Sequence, residues 1–285
     1  MPSAEPTRLT DDLWLTAYDS VSGRPRIGDW PLGVGLAAGL IAELIGGRFV
    51  ELREGELFRT GAAPPADPAL GPVLVKMRAE EQDRAVPASS AMASRHAWAL
   101  GQPTMTGEGS VWSPRQRDGQ NVGRLDADES VAWPATVRAQ QRYEPDTRHR
   151  RRGHELRMWL SYLAYEGRAE QRVLDRLTRT GLVRRQERRR LLGGTTVRFE
   201  PYDSVAAATP ANKLCIAVQG RRRLTDHQLL LAGLYLATGL HHHALATLSP
   251  DEWSWLADEL SRRLDDTWRE LLRAADSAVG DAAMR

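Results

Sequence analysis

The sequence predicts a mainly α protein, a single globular helical domain with one or two projecting β-hairpins. Three observations point there. Residues 229–240 are apolar nearly all round, as in a buried central helix. Ser249-Pro250-Asp251-Glu252 is a capping box with proline at the first helical position, and Trp253, Leu256, Leu260, Leu264, Trp268 and Leu271 continue it as one long apolar stripe. Turns at Glu54-Gly55 and Gly193-Gly194 each separate two short runs, the signal of a hairpin. With 285 residues, 41% of them hydrophobic, the chain buries a full core without disulfides.

From the N-terminal side, Leu9-Thr10-Asp11-Asp12 opens a short helix with Leu13, Trp14, Leu15 and Tyr18 on or near its apolar side. Thr10 is the expected N-cap, and the two aspartates suit the positive end of the helix dipole. Residues 19–25 are a turn-rich connection. A helix of small and apolar residues is expected from Pro31 to about Ile45, stopped by Gly46-Gly47. The first hairpin follows over residues 48–60, then a Pro/Ala linker over 61–70, and helical spacing resumes from Leu70 to Glu81 through Val73, Leu74 and Met77.

Residues 82–147 are rich in Pro, Gly, Ser and Gln, with isolated Trp98, Trp112 and Trp133 and no sustained period. A stretch this long without pattern is expected to be an insertion, either a long disordered loop or a lid-like excursion. The domain would then consist of residues 1–81 and 148–285. Helical order returns at His154 through Leu156, Trp159, Leu160 and Leu163. Val173, Leu174 and Leu177 form a second face beyond a break at Gly167. The second hairpin spans residues 181–201, and a helix carrying Cys215 is expected over 204–218.

Few residues suggest catalysis. Gly33 to Ala38 fits G-x-G-x-x-A, but turn residues rather than a strand precede it, so close helix packing explains the glycines better than a dinucleotide. His241-His242-His243 sit at a helix end and point in different directions, which suits the negative end of a helix better than a metal. Cys215, the single cysteine, lies between Leu214 and Ile216 and reads as a packed thiol. G-x-S-x-G, P-loop and H-E-x-x-H patterns are missing from the sequence. The expectation is a non-enzymatic protein that uses no cofactor or metal. The N-terminal MPSAEPTRLTDDL shows no apolar core of signal-peptide type, and no 18-residue apolar run occurs, so a cytoplasmic location is expected.

Charge is informative through its distribution, since the net value is only +2. Lysine occurs only at Lys76 and Lys213, and the arginines cluster at 148–152, at 184–190 and at 221–223. Such clusters are either solvated faces or contacts for a phosphate-bearing partner. In the second hairpin Arg184, Arg185, Arg188, Arg189 and Arg190 surround Leu191-Leu192, with Glu187 the opposing charge. A basic finger with an oily tip suits an anionic membrane. As a wing on nucleic acid it would need its arginines alone, beside a helix that offers Arg168, Gln171, Arg172, Asp175, Arg176 and Arg179. Helix, glycine, strand, turn and strand occur at 36–60 and again at 170–201, the local shape of a winged helix. The leucines also suit self-association through the hairpin.

Four stretches taken in order, LTDDLWLTAYDSVSGRPRI, GLAAGLIAELIGGRFVEL, VLDRLTRTGLVRRQERRRLLGGTTVRFEP and DHQLLLAGLYLATGL, resemble the Golgi phosphoprotein 3 family. The family has eukaryotic members and many bacterial relatives, and this chain resembles a bacterial-type member over roughly residues 9–81 and 150–270. The resemblance implies a mostly helical domain with a projecting hairpin. It also implies peripheral membrane binding through a phosphatidylinositol 4-phosphate pocket. Eukaryotic members act as adaptors that retain glycosyltransferases in the Golgi.

The family pattern of that pocket has a tryptophan ahead of the small-residue helix, an arginine within it, and an Arg-x-x-Arg pair before the hairpin. In this chain those positions fall at Gly28, Ala37, Gly167 and Glu170. Glu170 sets a carboxylate where the pattern has a cation, which repels a phosphomonoester. Trp30, Arg168 and Arg172 stand close by and would be the walls of a remade pocket. The expectation is a peripheral protein on anionic phospholipid membrane. The alternatives are a winged-helix-like nucleic-acid-binding protein and an enzyme or small-ligand protein with a remodelled pocket under the 82–147 insertion.

Overall fold

A run of apolar and small residues with one charge, Glu43, between Trp30 and Gly47 has to be buried on almost every side. The computed structural model describes residues 8–19, 24–85, 153–189 and 195–283, and puts that run at the centre of a helical body. Helix α1 is Leu9–Ala17 and α2 is Asp29–Gly46. Strands β1 (Val50–Arg53) and β2 (Glu56–Arg59) precede α3 (Gly71–Ala85). Beyond residues 86–152 come β3 (His154–Glu155), α4 (Leu156–Ala164), a 3-10 turn at Tyr165–Gly167 and α5 (Arg168–Arg179). Then follow β4 (Val183–Arg189), β5 (Thr195–Pro201), α6 (Ser204–Gln219), α7 (Asp226–Thr238) and the short α8 (His241–Ala244). Helices α9 (Pro250–Arg263) and α10 (Asp266–Ala283) close the order.

Helix α2 packs against α1, α4, α5, α7 and α10. Its glycines permit the approach: a Cβ on Gly35 would lie 2.5 Å from Thr238 Cγ2, and one on Gly33 would lie 3.0 Å from the Ala164 carbonyl oxygen. This is the role of the GVGLAA stretch. Helix α7 is buried along most of its length, from Leu229 to Thr238, and starts at a capping box formed by Thr225 and Gln228.

The first hairpin closes as the sequence predicts. Arg53 pairs with Glu56, and Glu54 and Gly55 both take positive φ (50° and 78°), the geometry of a two-residue primed turn. Strand β3, which periodicity alone reads as helix, adds a third strand by pairing Leu57 with His154. Helix α3 runs to Ala85, beyond the expected limit at Glu81. Trp98, Trp112, Trp133 and the arginines at 148–152 lie outside the described residues.

Two expectations are corrected. The apolar stripe from Trp253 to Leu271 is two helices. Leu264 is extended (ψ 129°), and Asp265 caps the second helix by accepting from Trp268 N at 3.0 Å. The break lets α9 pack on α6 and α7 while α10 packs on α2, α4 and α7. Thr10 is not an N-cap. Helix α1 begins after Arg8 with no side-chain cap, and the Thr10 backbone N–H and hydroxyl both donate to Glu43, at 2.9 and 2.8 Å.

Thr10 belongs to a buried ionic hub centred on Arg176 of α5. The guanidinium donates to Asp11 at 2.8 and 2.9 Å, to Glu43 at 2.8 Å, to Asp67 at 3.3 Å and to Thr10 Oγ1. Arg8 adds a second cation, 3.0 Å from Asp67. One side chain thus ties α5 to α1, to α2 and to the Pro/Ala linker. Asp67 in turn accepts from the Ala69 and Leu70 amides ahead of α3.

Three carboxylates facing two guanidiniums leave one in excess. Burial raises Asp11 from 3.8 to about 6, against the lowering by Arg176. Because the folded value lies above the unfolded one, the stability linked to Asp11 protonation is full below about pH 4 and is lost as pH rises through 6. Between pH 4 and 7.5 the protein is expected to lose about 2 kcal/mol of stability relative to Asp11→Asn, measured by urea denaturation of both.

Candidate lipid-facing hairpin and arginine cluster

Strands β4 and β5 form a two-stranded antiparallel ladder from Val183↔Pro201 to Arg189↔Thr195. Val183 is buried at its base, and Phe199 packs against the core. The last described pair is Arg189 with Thr195, and the Gly193-Gly194 turn that the sequence predicts lies outside the described residues. Arg190, Leu191 and Leu192 lie outside the described residues, and Arg188 and Arg189 are placed on β4 by its backbone.

The exposed base is cationic. The Arg184 guanidinium lies 4.4 Å from the Tyr202 ring centroid, within cation–π reach. Arg185 pairs with Glu187 at 3.0 Å, both well exposed, a contact worth little to stability.

Arg168 and Arg172 are brought together one turn apart on α5. Arg168 stacks over Tyr162 and Tyr165 at 4.7 and 5.3 Å and lies 3.2 Å from Glu166. The Arg172 Nε is buried with no hydrogen-bond partner among the described residues. Burial lowers the Arg172 pKa, Tyr162 opposes that shift, and Arg168 adds to it. Trp30 is engaged elsewhere, donating from Nε1 to the Ala278 carbonyl of α10 at 3.0 Å.

The four positions of the family pattern are visible too. Gly28 is the N-cap of α2, Ala37 is fully buried, and Gly167 takes a left-handed conformation (φ 68°) ahead of α5. Glu170 accepts from Tyr18 Oη at 2.6 Å and from Trp14 Nε1 at 3.2 Å. Trp14 and Tyr18 stack at 4.2 Å, and burial followed by Glu170 holds the Tyr18 phenol well above its ordinary pKa. Sequence reasoning missed Trp14, Tyr18 and Tyr162 here. The signal was the i, i+4 spacing of Trp14 and Tyr18, which was read as core alone.

Of the side chains offered for base reading, Gln171, Asp175 and Arg179 are exposed, while Arg172 and Arg176 are drawn inward. Arg176 is 3% exposed inside the ionic hub, and the Arg172 Nε is buried. Cys215 is buried, donates to the Ala244 carbonyl at 3.4 Å, and has its pKa raised by burial. The His241 and His242 rings lie 4.0 Å apart, and no group of three or more His, Cys, Asp or Glu is placed for a metal among the described residues. An open cleft of about 500 Å³ lies between the β1–β2 turn and α10, away from both arginine sites, with Glu54, Glu56, Arg157 and Arg273 on its walls. Among the described residues one helix, α2, is long and apolar enough to cross a membrane, and here it is the buried centre of the body.

The chain matches the Golgi phosphoprotein 3 (GPP34) family over residues 9–105 and 123–284. It belongs to that family. The matched stretches take in the helical body, both hairpins and parts of the 82–147 segment, leaving 106–122 between them. No curated protein matches the chain. The family points to peripheral association with membranes and is generally non-enzymatic.

Proposed function

We propose that this protein is a non-catalytic peripheral membrane protein that meets anionic phospholipid through the β4–β5 hairpin, on the cytoplasmic face of the membrane. The observation that carries the reading is the hairpin itself. Strands β4 and β5 pair as far as Arg189 with Thr195, and the sequence carries Leu191-Leu192 between them. Five arginines against Glu187 surround them, a local charge of +4. Each basic residue near an anionic leaflet contributes about 1 kcal/mol, and two buried leucines add about 3–5 kcal/mol. Those magnitudes give reversible association.

Recognition is of negative charge rather than of an inositol headgroup. Glu170, at a family arginine position, is bonded by Tyr18 and Trp14, and Ala37 brings no charge to α2. Arg168 and Arg172 supply an additional cationic position beside Tyr162, suited to one phosphate.

The test is Leu191→Ser with Leu192→Ser, assayed on phosphatidylglycerol vesicles and on duplex DNA. Lipid binding is expected to fall by 100-fold or more, since the apolar contribution is removed. DNA binding that survives without the leucines while lipid binding is unchanged would instead identify the hairpin as a nucleic-acid wing.

A further inference from the structure

We infer that the outer face of α6, with the arginines that follow it, is a second membrane-docking surface, one that lies flat on an anionic bilayer beside the hairpin. The inference rests on the membrane reading above and extends it to residues that reading does not use. Helix α6 turns Ala207, Leu214 and Val218 inward, against α1 and α9. Its opposite face carries Val205, Ala208, Asn212 and Ile216, spaced at three and four residues and all exposed. Val205 is 71% exposed, Ile216 56%, and Tyr202 just before the helix 63%. These are three of the seven large hydrophobic residues that stand exposed among the described residues, and a fourth, Val197, lies on β5. Scattered exposed apolar residues need no explanation, but this concentration along one continuous segment does.

Charge identifies the occupant. Residues 204–223 contain Lys213, Arg221, Arg222 and Arg223 and no carboxylate, a charge of +4 in a chain whose total is +2. All four cations are exposed, and the arginines stand together beyond the C-terminal end of the apolar face. The preceding acid, Asp203, is used as the helix N-cap and accepts from Val205 N at 2.9 Å. An apolar strip with cations at its side and end, and no acid among them, complements a leaflet of anionic headgroups over exposed acyl chains. Continuity points the same way. Tyr202 and Asp203 join β5 directly to α6, and Arg184 of β4 stacks on Tyr202.

The experiment uses the full chain on a Cys215→Ser background with an environment-sensitive dye at Val205→Cys, and separately at Leu191→Cys. Each is titrated with phosphatidylglycerol vesicles and with neutral phosphatidylcholine vesicles. Blue shifts at both positions with the anionic vesicles alone are expected. Arg221→Asn, Arg222→Ser and Arg223→Ser together should weaken partitioning about 100-fold, roughly fivefold per arginine. A shift at 191 without one at 205 overturns the α6 surface and leaves the hairpin reading intact. A shift at 205 alone keeps the α6 surface and overturns the hairpin reading. No shift at either position overturns both. A shift at 205 that needs no lipid and grows with protein concentration would show a second copy of the chain on this face, and would overturn the bilayer as its occupant.

Discussion

Arg176→Ala is expected to destabilise the fold by about 3–5 kcal/mol, a large part of the stability of a domain this size. The arginine itself is not what makes the loss large. Asp11, Glu43 and Asp67 converge on one guanidinium, and Arg176 and Asp67 are almost wholly enclosed, with side-chain exposures of 4% and 3%. Without the guanidinium, three carboxylates are left facing one another with only the partly exposed Arg8 to offset them. Removing one partner of a buried ion pair costs far more than the pair contributes, because the remaining charges stay desolvated. Arg176→Lys should recover only part of the loss, since a single ammonium cannot reproduce forked contacts to α1 and α2 at once. Urea denaturation of the three proteins checks this. A loss below 1 kcal/mol for Arg176→Ala would mean that the hub is not closed as described.

Gly39→Val is the second large effect, about 2–3 kcal/mol of destabilisation. A Cβ at position 39 would lie 2.5 Å from Thr10 Cγ2, and Thr10 has little freedom to move away. It is fully buried, β-branched, and bonded through its hydroxyl to Glu43 and Arg176. The substitution therefore forces α1 away from α2 or breaks the hub from its edge. Because both changes act through Thr10, the costs of Gly39→Val and Arg176→Ala should add to less than their sum, by at least about 0.5 kcal/mol. Strict additivity in the double variant would show that the glycine contact and the hub are independent.

Local chemistry made much of the fold legible. The capping box at Ser249, the turn at Glu54-Gly55 and the all-round apolar α7 each carry their signal within a few residues, and each forms as expected. The break at Leu264-Asp265 was hidden because its two helices keep apolar residues at three- and four-residue spacing across the join. Only the side-chain cap from Asp265 betrays it. The ionic hub was illegible for a different reason. It joins residues more than 100 positions apart, and its one sequence trace is Glu43, the single charge in the apolar run between Trp30 and Gly47. In the candidate site, the basic hairpin is legible from two short runs around Gly193-Gly194 and from the arginines clustered in the first of them. The partner of Glu170 could not be foreseen, because Trp14 and Tyr18 reach it from another helix at the far end of the chain.

Membrane contact driven by charge and by an oily hairpin is the central claim, and flotation of the purified protein with liposomes tests it most directly. Three vesicles are compared at low salt: phosphatidylcholine alone, phosphatidylcholine with phosphatidylglycerol, and phosphatidylcholine with phosphatidylinositol 4-phosphate at matched charge. The expected result is flotation with both anionic vesicles to a similar extent and none with the neutral one. Absence of flotation with every vesicle would contradict the account.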